Sequence, residues 1–292
     1  MVAPLRLTSA QAPLTREIDV RDEFGQERRI SIPAERALTV FVDTRELVTL
    51  MTLGAAPELL VLGYLRNQRL IDSVGDIDSI TVDWDVDAAA VKTRAGIERF
   101  DQKTAKRVVT TGCGQGTVFG DMMADLDSIR LPGADDPAAR ISQSALYGLL
   151  NALRLQESTY KSAGSVHGCA LFCQDRLLTF VEDVGRHNAI DTIAGWMWLR
   201  EQEAPLAPTA DEPLVFYTTG RLTSEMVIKS AQLGVPIIVS RSGITQMGLE
   251  VAERLGLALF GRATNRRFLC YTAPERLVLQ PELAGSRPRA AP

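Results

Sequence analysis

Residues 180–195 read FVEDVGRHNAIDTIAG, and the parsing of the whole chain turns on them. Glu182, Asp183, Arg186, His187, Asn188 and Asp191 stand within ten positions, a density of ionisable and amide groups that a plain structural segment seldom holds. The approach, LFCQDRLLTFVED, is rich in Leu, Phe and Val around a polar turn, which predicts a hairpin whose second strand ends near Val184. Gly185 interrupts it. From Asn188 the apolar residues Ile190, Ile193, Ala194, Met197 and Trp198 recur at three- and four-residue spacing, which predicts a helix with Asn188 as N-cap. A strand-to-helix turn aims backbone N–H groups and the positive end of the helix dipole at one place, an arrangement suited to an anion. The same side chains would serve equally as an ionic network tying the turn to the core, since structural ion pairs use the same residue types.

Working outward, the chain from Ser165 alternates between strand and helix patterns: SVHGCALF, RLLTFVED, the helix from Asn188, PLVFYTT, a helix from Ser224, PIIVS, a helix from Thr245, and LALFGR. Near-continuous apolar strands alternating with helices predict a sheet covered on both faces. Before it, Asp136 as cap and Pro137 as first residue predict a long helix, with Ile141, Leu146, Leu149, Leu150 and Leu153 as its core stripe. Earlier still, LTVFVDTRELVTLMT alternates on both sides of a turn at 43–46 and predicts a hairpin. Pro57 opens a helix with Leu60, Val61, Tyr64 and Leu65 on one face, and short strands follow near 77–84, 87–94 and 106–110. The fold class expected is α/β. Residues 1–36 form a flexible arm with one edge strand, 37–135 a small α+β domain ending in a cysteine loop, 136–280 an α/β domain with a mixed, mostly parallel sheet, and 281–292 a disordered tail. The stretch 201–213 is expected to be a surface linker.

Length and composition narrow the function classes. A chain of 292 residues with 46% hydrophobic and 23% charged residues buries a real core in one large or two modest domains. A formal charge of −4 argues against a broad nucleic-acid footprint. No apolar run reaches the roughly 18 residues that span a bilayer, and the first twenty residues lack the apolar core of a signal peptide, so a cytoplasmic protein without membrane association is expected. Cys113, Cys169, Cys173 and Cys270 are too few and too scattered for a disulfide framework and are read as thiols.

Three kinds of constellation carry chemistry. Cys113 lies in TTGCGQGTVFGDMM between Gly112 and Gly114, where its sulfur is expected to be reachable, and Lys103, Lys106 and Arg107 upstream favour the attacking thiolate. The alternative is a spare surface cysteine in a turn. His167, Cys169 and Cys173 fall on one face of a strand and have the composition of a metal site, but the close CxxC pairing is absent, which leaves buried strand cysteines as the simpler reading. The third kind recurs at strand ends: TTGRLTSEMVIKSA at 218–231, SRSGIT at 240–245 and FGRATNRRF at 260–268 set glycines, hydroxyls and arginines between strand and helix or beside aromatics. Together they suggest a pocket for a phosphorylated ligand, because ligands bind at strand carboxyl ends in such sheets.

With those residues in place, EDVGRHNAID, TTGRLTSEMVIKSA, IIVSRSGIT and FGRATNRRFLCYTAPERL resemble the FdhD family of formate dehydrogenase accessory sulfurtransferases, over roughly residues 38–278. The resemblance implies a carrier that takes persulfide sulfur from a cysteine desulfurase on Cys113 and passes it to the molybdenum of a bis-molybdopterin guanine dinucleotide cofactor before insertion into formate dehydrogenase. It implies a second domain similar to cytidine deaminases and a homodimer. It also implies a cofactor-binding segment at Phe260, Gly261, Arg262, Ala263, Thr264 and Asn265, with GDP as an accessible mimic. Arg221 and Ser240 are expected near the phosphates, and Arg186 and His187 are assigned to the same cofactor-binding set. No catalytic zinc is expected, because cytidine deaminases use H-x-E and a later P-C-x-x-C, whereas here His167 is followed by Cys169. The family's reactive loop usually reads CGxCG; here it reads Cys113-Gly114-Gln115-Gly116, with glycine in place of the second cysteine. A cofactor-binding chaperone without sulfur transfer is therefore the competing reading.

Overall fold

The computed structural model describes residues 4–97, 126–201, 206 and 211–283. Cys113 with its glycine loop, the strand predicted at 106–110, most of the linker at 201–213 and the tail from 284 lie outside the described residues. In chain order the elements are β1 (Arg6–Leu7), β2 (Thr15–Arg21), β3 (Glu27–Pro33), β4 (Arg36–Val42), β5 (Arg45–Thr52), α1 (Pro57–Asn67), β6 (Ile77–Asp83), β7 (Ala88–Thr93) and β8 (Ile141–Ser142). They continue with α2 (Gln143–Leu155), α3 (Thr159–Ala163), β9 (His167–Cys173), β10 (Arg176–Asp183), α4 (Arg186–Arg200), β11 (Leu214–Thr218) and α5 (Ser224–Gln232). Last come β12 (Ile237–Ser240), α6 (Gln246–Leu255), β13 (Ala258–Thr264), β14 (Arg267–Thr272) and β15 (Leu277–Val278).

Two units result, the first drawn from described residues within 1–125, 157–169 and 180–206, the second from those within 126–156, 170–179 and 207–292. The division departs from the expected boundary at 135–136, because α4, read from the sequence as part of the second domain, belongs to the first. The reason is a close helix crossing. Gly63 of α1 and Gly195 of α4 meet backbone to backbone: a Cβ on Gly63 would stand 1.6 Å from the Asp191 carbonyl oxygen, and one on Gly195 2.0 Å from that of Leu59. Only glycine permits that approach, and it lets Trp198 of α4 join a core built from Leu38, Val40 and Val42 of β4 with Leu60, Val61, Tyr64 and Leu65 of α1. The five-stranded sheet beneath has the order β1-β6-β7-β4-β5. The predicted hairpin β4–β5 turns at Asp43, whose φ of 55° is left-handed and whose carboxylate accepts from the Thr93 N–H and hydroxyl at 2.9 Å each.

Residues 4–36 correct the expectation of a loose arm. β1 pairs parallel with β6, and β2 pairs antiparallel with β3 from Thr15↔Pro33 to Arg21↔Glu27. The Asp22 carboxylate closes that hairpin by accepting from the N–H groups of Phe24 and Gln26, and Arg29 bridges to Asp19 across the strands at 2.9 Å. A polar two-stranded ribbon has too little apolar alternation to stand out in the sequence.

In the second unit the helix predicted from Pro137 is also corrected. Asp136 does cap, accepting from the Ala138 N–H, but only a single 3₁₀ turn at Pro137–Ala139. Ile141 and Ser142 then pair with Leu277 and Val278 of β15, and α2 starts at Gln143 because the Ser142 hydroxyl accepts from the Ala145 N–H. The main sheet has the order β10-β9-β11-β12-β13-β14, with β11, β12 and β13 parallel and β14 antiparallel at the edge. This is the mixed α/β architecture expected from the strand–helix alternation. Helices α5 and α6, which connect successive parallel strands, pack against each other. The Arg276 side chain, 4% exposed, fastens the far end of this unit by donating to the carbonyl oxygens of Gly256, Pro132, Gly133 and Ala139. Among the described residues no helix is long and apolar enough to cross a membrane.

Candidate functional site

The polar cluster at 182–191 resolves into separate jobs. Glu182 accepts from the N–H groups of Thr159 and Tyr160, the first turn of α3, where a carboxylate meets unpaired backbone donors. Asp183 takes four donors: the Thr52 hydroxyl, the Leu53 N–H at 3.0 Å, the Gly185 N–H at 3.0 Å and the Asn188 amide at 2.8 Å. Asn188 also donates to the Met51 carbonyl at 2.6 Å, so it latches β10 and α4 onto the end of β5 instead of capping the helix. Helix α4 begins three residues earlier than expected, at Arg186, with Gly185 in place of Asn188 as N-cap and no side-chain cap bond. Burial pushes the Asp183 carboxyl above its ordinary range, against the pull of those four hydrogen bonds. Asp191, fully buried, accepts from the Asn67 amide at 2.6 Å. The network reading thus holds for these four residues. His187 and Arg186 are buried beside them at 2% and 7% exposure.

A second constellation gathers at the carboxyl ends of β11, β12 and β13. The Ser240 hydroxyl donates to the Gly220 carbonyl at 2.7 Å and accepts from the Ser242 N–H at 2.9 Å; the Arg241 N–H reaches the Thr218 carbonyl, and the Arg262 N–H the Ser242 carbonyl at 2.7 Å. Three turns are stitched into one edge by these bonds. Arg221, Arg241 and Arg262 stand on its successive turns, exposed, and their side chains form no ion pair or hydrogen bond among the described residues. Helices α5 and α6 start from the same edge behind Thr223 and Thr245, so two positive dipole ends reinforce the three guanidinium groups. The Thr245 hydroxyl caps α6, whereas that of Thr223 is buried without a hydrogen-bond partner among the described residues.

The segment 260–265 divides by burial. Phe260, Gly261 and Ala263 are buried, while Arg262, Thr264 and Asn265 are exposed. A Cβ at Gly261 would stand 2.4 Å from the Tyr271 ring, so only glycine fits, and Arg262 follows in a left-handed conformation with φ 50°. Such strain in an arginine is retained where the surrounding structure enforces it. Beneath the turn Phe268 packs edge-on to Phe260 at 5.5 Å and against Tyr147 at 6.2 Å, with Arg266 over the Tyr147 ring. The structure therefore gives Ser240 a positioning task, as its hydroxyl is used up inside the edge and 0% exposed. It brings forward Arg241, which the sequence reading passed over although it is the residue that leaves the strand after Ser240. Arg186 and His187 belong to the first unit and the strand-end residues to the second.

Of the cysteines, Cys113 lies outside the described residues. Cys169 is fully buried; Cys173 is 2% exposed and donates to the Glu212 carboxylate at 3.4 Å. Burial pushes the Cys173 thiol up, and the neighbouring Glu212 carboxylate adds to this. Burial likewise pushes up the Cys270 thiol, which is partly buried and donates to the Thr272 carbonyl. Among the described residues no group of three His, Cys, Asp or Glu is placed to hold a metal ion, His167, Cys169 and Cys173 included.

Residues 33–278 match the model of the FdhD/NarQ family. The sulfur carrier protein FdhD of Bacillus subtilis (strain 168) is 32% identical over 260 residues, covering 88% of this chain and 95% of that protein. The sulfur carrier protein FdhD of Listeria innocua is 29% identical over 253 residues, 86% of this chain and 93% of its own. Among solved structures, a protein assigned as a formate dehydrogenase accessory protein from Desulfotalea psychrophila is similar at a TM-score of 0.69 and 26% identity, covering 91% of this chain and all of that one.

Proposed function

The chain belongs to the FdhD/NarQ family, and on that premise we propose that it is a sulfur carrier serving formate dehydrogenase maturation. The Cys113 thiolate attacks the terminal sulfur of a persulfide on a cysteine desulfurase; the donor's S–S bond breaks, a new one forms at Cys113, and the donor thiolate leaves. The cargo, the molybdenum of a bis-molybdopterin guanine dinucleotide, then takes the terminal sulfur: the S–S bond at Cys113 breaks, the metal supplies the two electrons that bring sulfane sulfur to sulfide level, and the Cys113 thiolate is regenerated before that cofactor enters formate dehydrogenase in the cytoplasm. The observation that carries this reading is the state of the other cysteines. Cys169, Cys173 and Cys270 are buried or partly buried, and burial disfavours the thiolate at Cys173 and Cys270, so the glycine-flanked Cys113 is the thiol left for exchange.

The strand-end edge of the second unit is our assignment for the cargo. Its guanine dinucleotide parts carry phosphates, and Arg221, Arg241 and Arg262 offer planar forks that pair with phosphate oxygens through two parallel charge-assisted bonds. Peptide mass spectrometry after incubation with a desulfurase and cysteine tests the sulfur step: one added sulfur on the Cys113 peptide is expected, absent in Cys113→Ala, which also fails to mature formate dehydrogenase. Sulfur on another cysteine would overturn the assignment. Gly116 in place of the second loop cysteine favours the chaperone reading, which predicts full maturation by Cys113→Ala. Calorimetry with GDP tests the edge. Arg221→Ala and Arg262→Ala are each expected to weaken binding by about tenfold or more, from the ~1.5–3 kcal/mol of a hydrogen bond to a charged group.

A further inference from the structure

We infer that the outer edge of β2 is the surface on which a second copy of this chain pairs, strand to strand, about a two-fold axis at Asp19. The ladder between β2 and β3 runs from Thr15↔Pro33 to Arg21↔Glu27 without a bulge, and among the described residues no strand pairs with the other edge of β2. Helix α3 packs against β3. A seven-residue edge strand with no proline and no bulge is a ready template for another strand. Which backbone groups it offers follows from the hairpin. The Asp22 N–H donates to the Gln26 carbonyl and the Ala34 N–H to the Leu14 carbonyl, so Leu14 and Asp22 bond toward β3. Bonded and non-bonded positions alternate along an antiparallel pair, so Arg16, Ile18 and Val20 bond inward as well. Thr15, Glu17, Asp19 and Arg21 therefore turn their N–H and C=O groups outward. The proline at Thr15↔Pro33 agrees, since a non-bonded position needs no N–H from either strand.

The side chains say what pairs there. An antiparallel copy with Asp19 opposite its own equivalent sets Glu17 opposite Arg21 twice, and Ile18 opposite Val20 on the other face. Glu17 forms no ion pair or hydrogen bond among the described residues, and Arg21 reaches Glu27 only at 3.5 Å with 69% of its side chain exposed, so both are open to that contact. The two Asp19 carboxylates that meet at the axis are each neutralised within their own chain by Arg29, through bonds of 2.9 and 3.2 Å. An axis at Glu17 would instead oppose two carboxylates whose cross-strand neighbour is Ser31, and one at Arg21 would oppose two guanidinium groups and set Asp19 against Glu23. Pairs of this kind fix register where the backbone alone tolerates several. The Asp19 register also brings Phe24, at 79% the most exposed large apolar side chain among the described residues, level with the half-buried Leu14 of the second copy. A surface that complements itself in this way belongs to a two-fold contact between identical chains.

The inference is independent of the sulfur-carrier reading, and it goes beyond the homodimer expected from the resemblance by naming a surface. Sedimentation equilibrium of the full chain tests it. Glu17→Arg and Arg21→Glu each set like charges opposite each other twice and are expected to weaken dimerisation by about tenfold or more, while the double variant restores it to the wild-type range. Both positions are exposed, so unfolding midpoints close to that of the wild type are expected, and they separate lost association from lost folding. Cross-linking reads the register. In a Cys113→Ala background, chains carrying Ile18→Cys and chains carrying Val20→Cys are mixed and oxidised. Facing non-bonded positions stand about 4.5 Å apart between Cα atoms, within reach of a disulfide, so a linked dimer is expected from the mixture and from neither variant alone. A dimer that ignores the charge swaps, or a mixture that gives no cross-link, would overturn the pairing and leave the homodimer standing. A wild-type chain that stays monomeric would overturn both.

Discussion

At the scale of single residues, Asp183 shows how a motif that reads as a catalytic cluster is used to join chain segments. Its carboxylate is the common acceptor for Thr52, Leu53, Gly185 and Asn188, which come from the end of β5 and the start of α4. Asp183→Asn keeps the shape but turns an amide N–H₂ toward donors, so about 1–3 kcal/mol of stability should be lost for each buried donor left without an acceptor. Urea unfolding at neutral pH checks this. The sign with pH follows from burial. Because the folded-state value lies above the ordinary 3.8, the folded protein holds this proton more tightly than the unfolded chain. Its contribution is fully present below 3.8 and is lost as pH rises through the folded-state value, so the wild-type slope over that window should flatten in Asp183→Asn. The thiols give a second test at this scale. Alkylation follows the thiolate, so iodoacetamide near pH 8 should add one fast adduct to the folded protein, removed by Cys113→Ala, with Cys169, Cys173 and Cys270 reacting only on unfolding. A fast adduct that persists in Cys113→Ala would count against inert strand cysteines.

At the scale of elements, the α1–α4 crossing decides which unit α4 joins. A methyl group at Gly195 would press on the Leu59 carbonyl and the Gly63 amide, both backbone atoms that cannot swing away. Overpacking of this sort costs about 1–3 kcal/mol and more where backbone must move, so Gly195→Ala should destabilise at or beyond the upper end of that range. Gly133→Ala is the control, since a Cβ there meets nothing within 4 Å, and its unfolding midpoint should stay close to that of the wild type. Equal midpoints for the two variants would remove the close crossing as the reason for the arrangement. The start of α2 teaches a related point. Asp136 and Pro137 are sound helix-start residues, yet Ser142 is the cap that the long helix uses, because Ile141 is claimed by pairing with β15.

At the scale of the whole molecule, charge is distributed more tellingly than its total. A net charge of −4 coexists with three exposed arginines on the strand-end edge of the second unit whose side chains form no ion pair or hydrogen bond among the described residues. Self-association belongs to this scale too. Trp198 is taken up by the first unit's core, whereas Trp196 remains half-buried with Arg200 over its ring at 5.8 Å. We propose a homodimer, for which light scattering should return twice the chain mass of 31.9 kDa; the single chain mass at every concentration would refute it.

Period and punctuation in the sequence were enough for the α/β class, the β4–β5 hairpin, the helix from Pro57, the alternation after Ser165 and the strand-end turns with their arginines, because these follow from local backbone preference and apolar spacing. The EDVGRHNAID string was legible as unusual but not as divided labour. Which of its groups pair with Thr52, Met51 or Asn67 depends on segments more than a hundred residues away, brought close only by packing. The same holds for Ser240, whose hydroxyl looked available until neighbouring turns claimed it. Local spacing determines which elements form; burial and hydrogen-bond satisfaction in three dimensions decide which polar groups remain for a ligand.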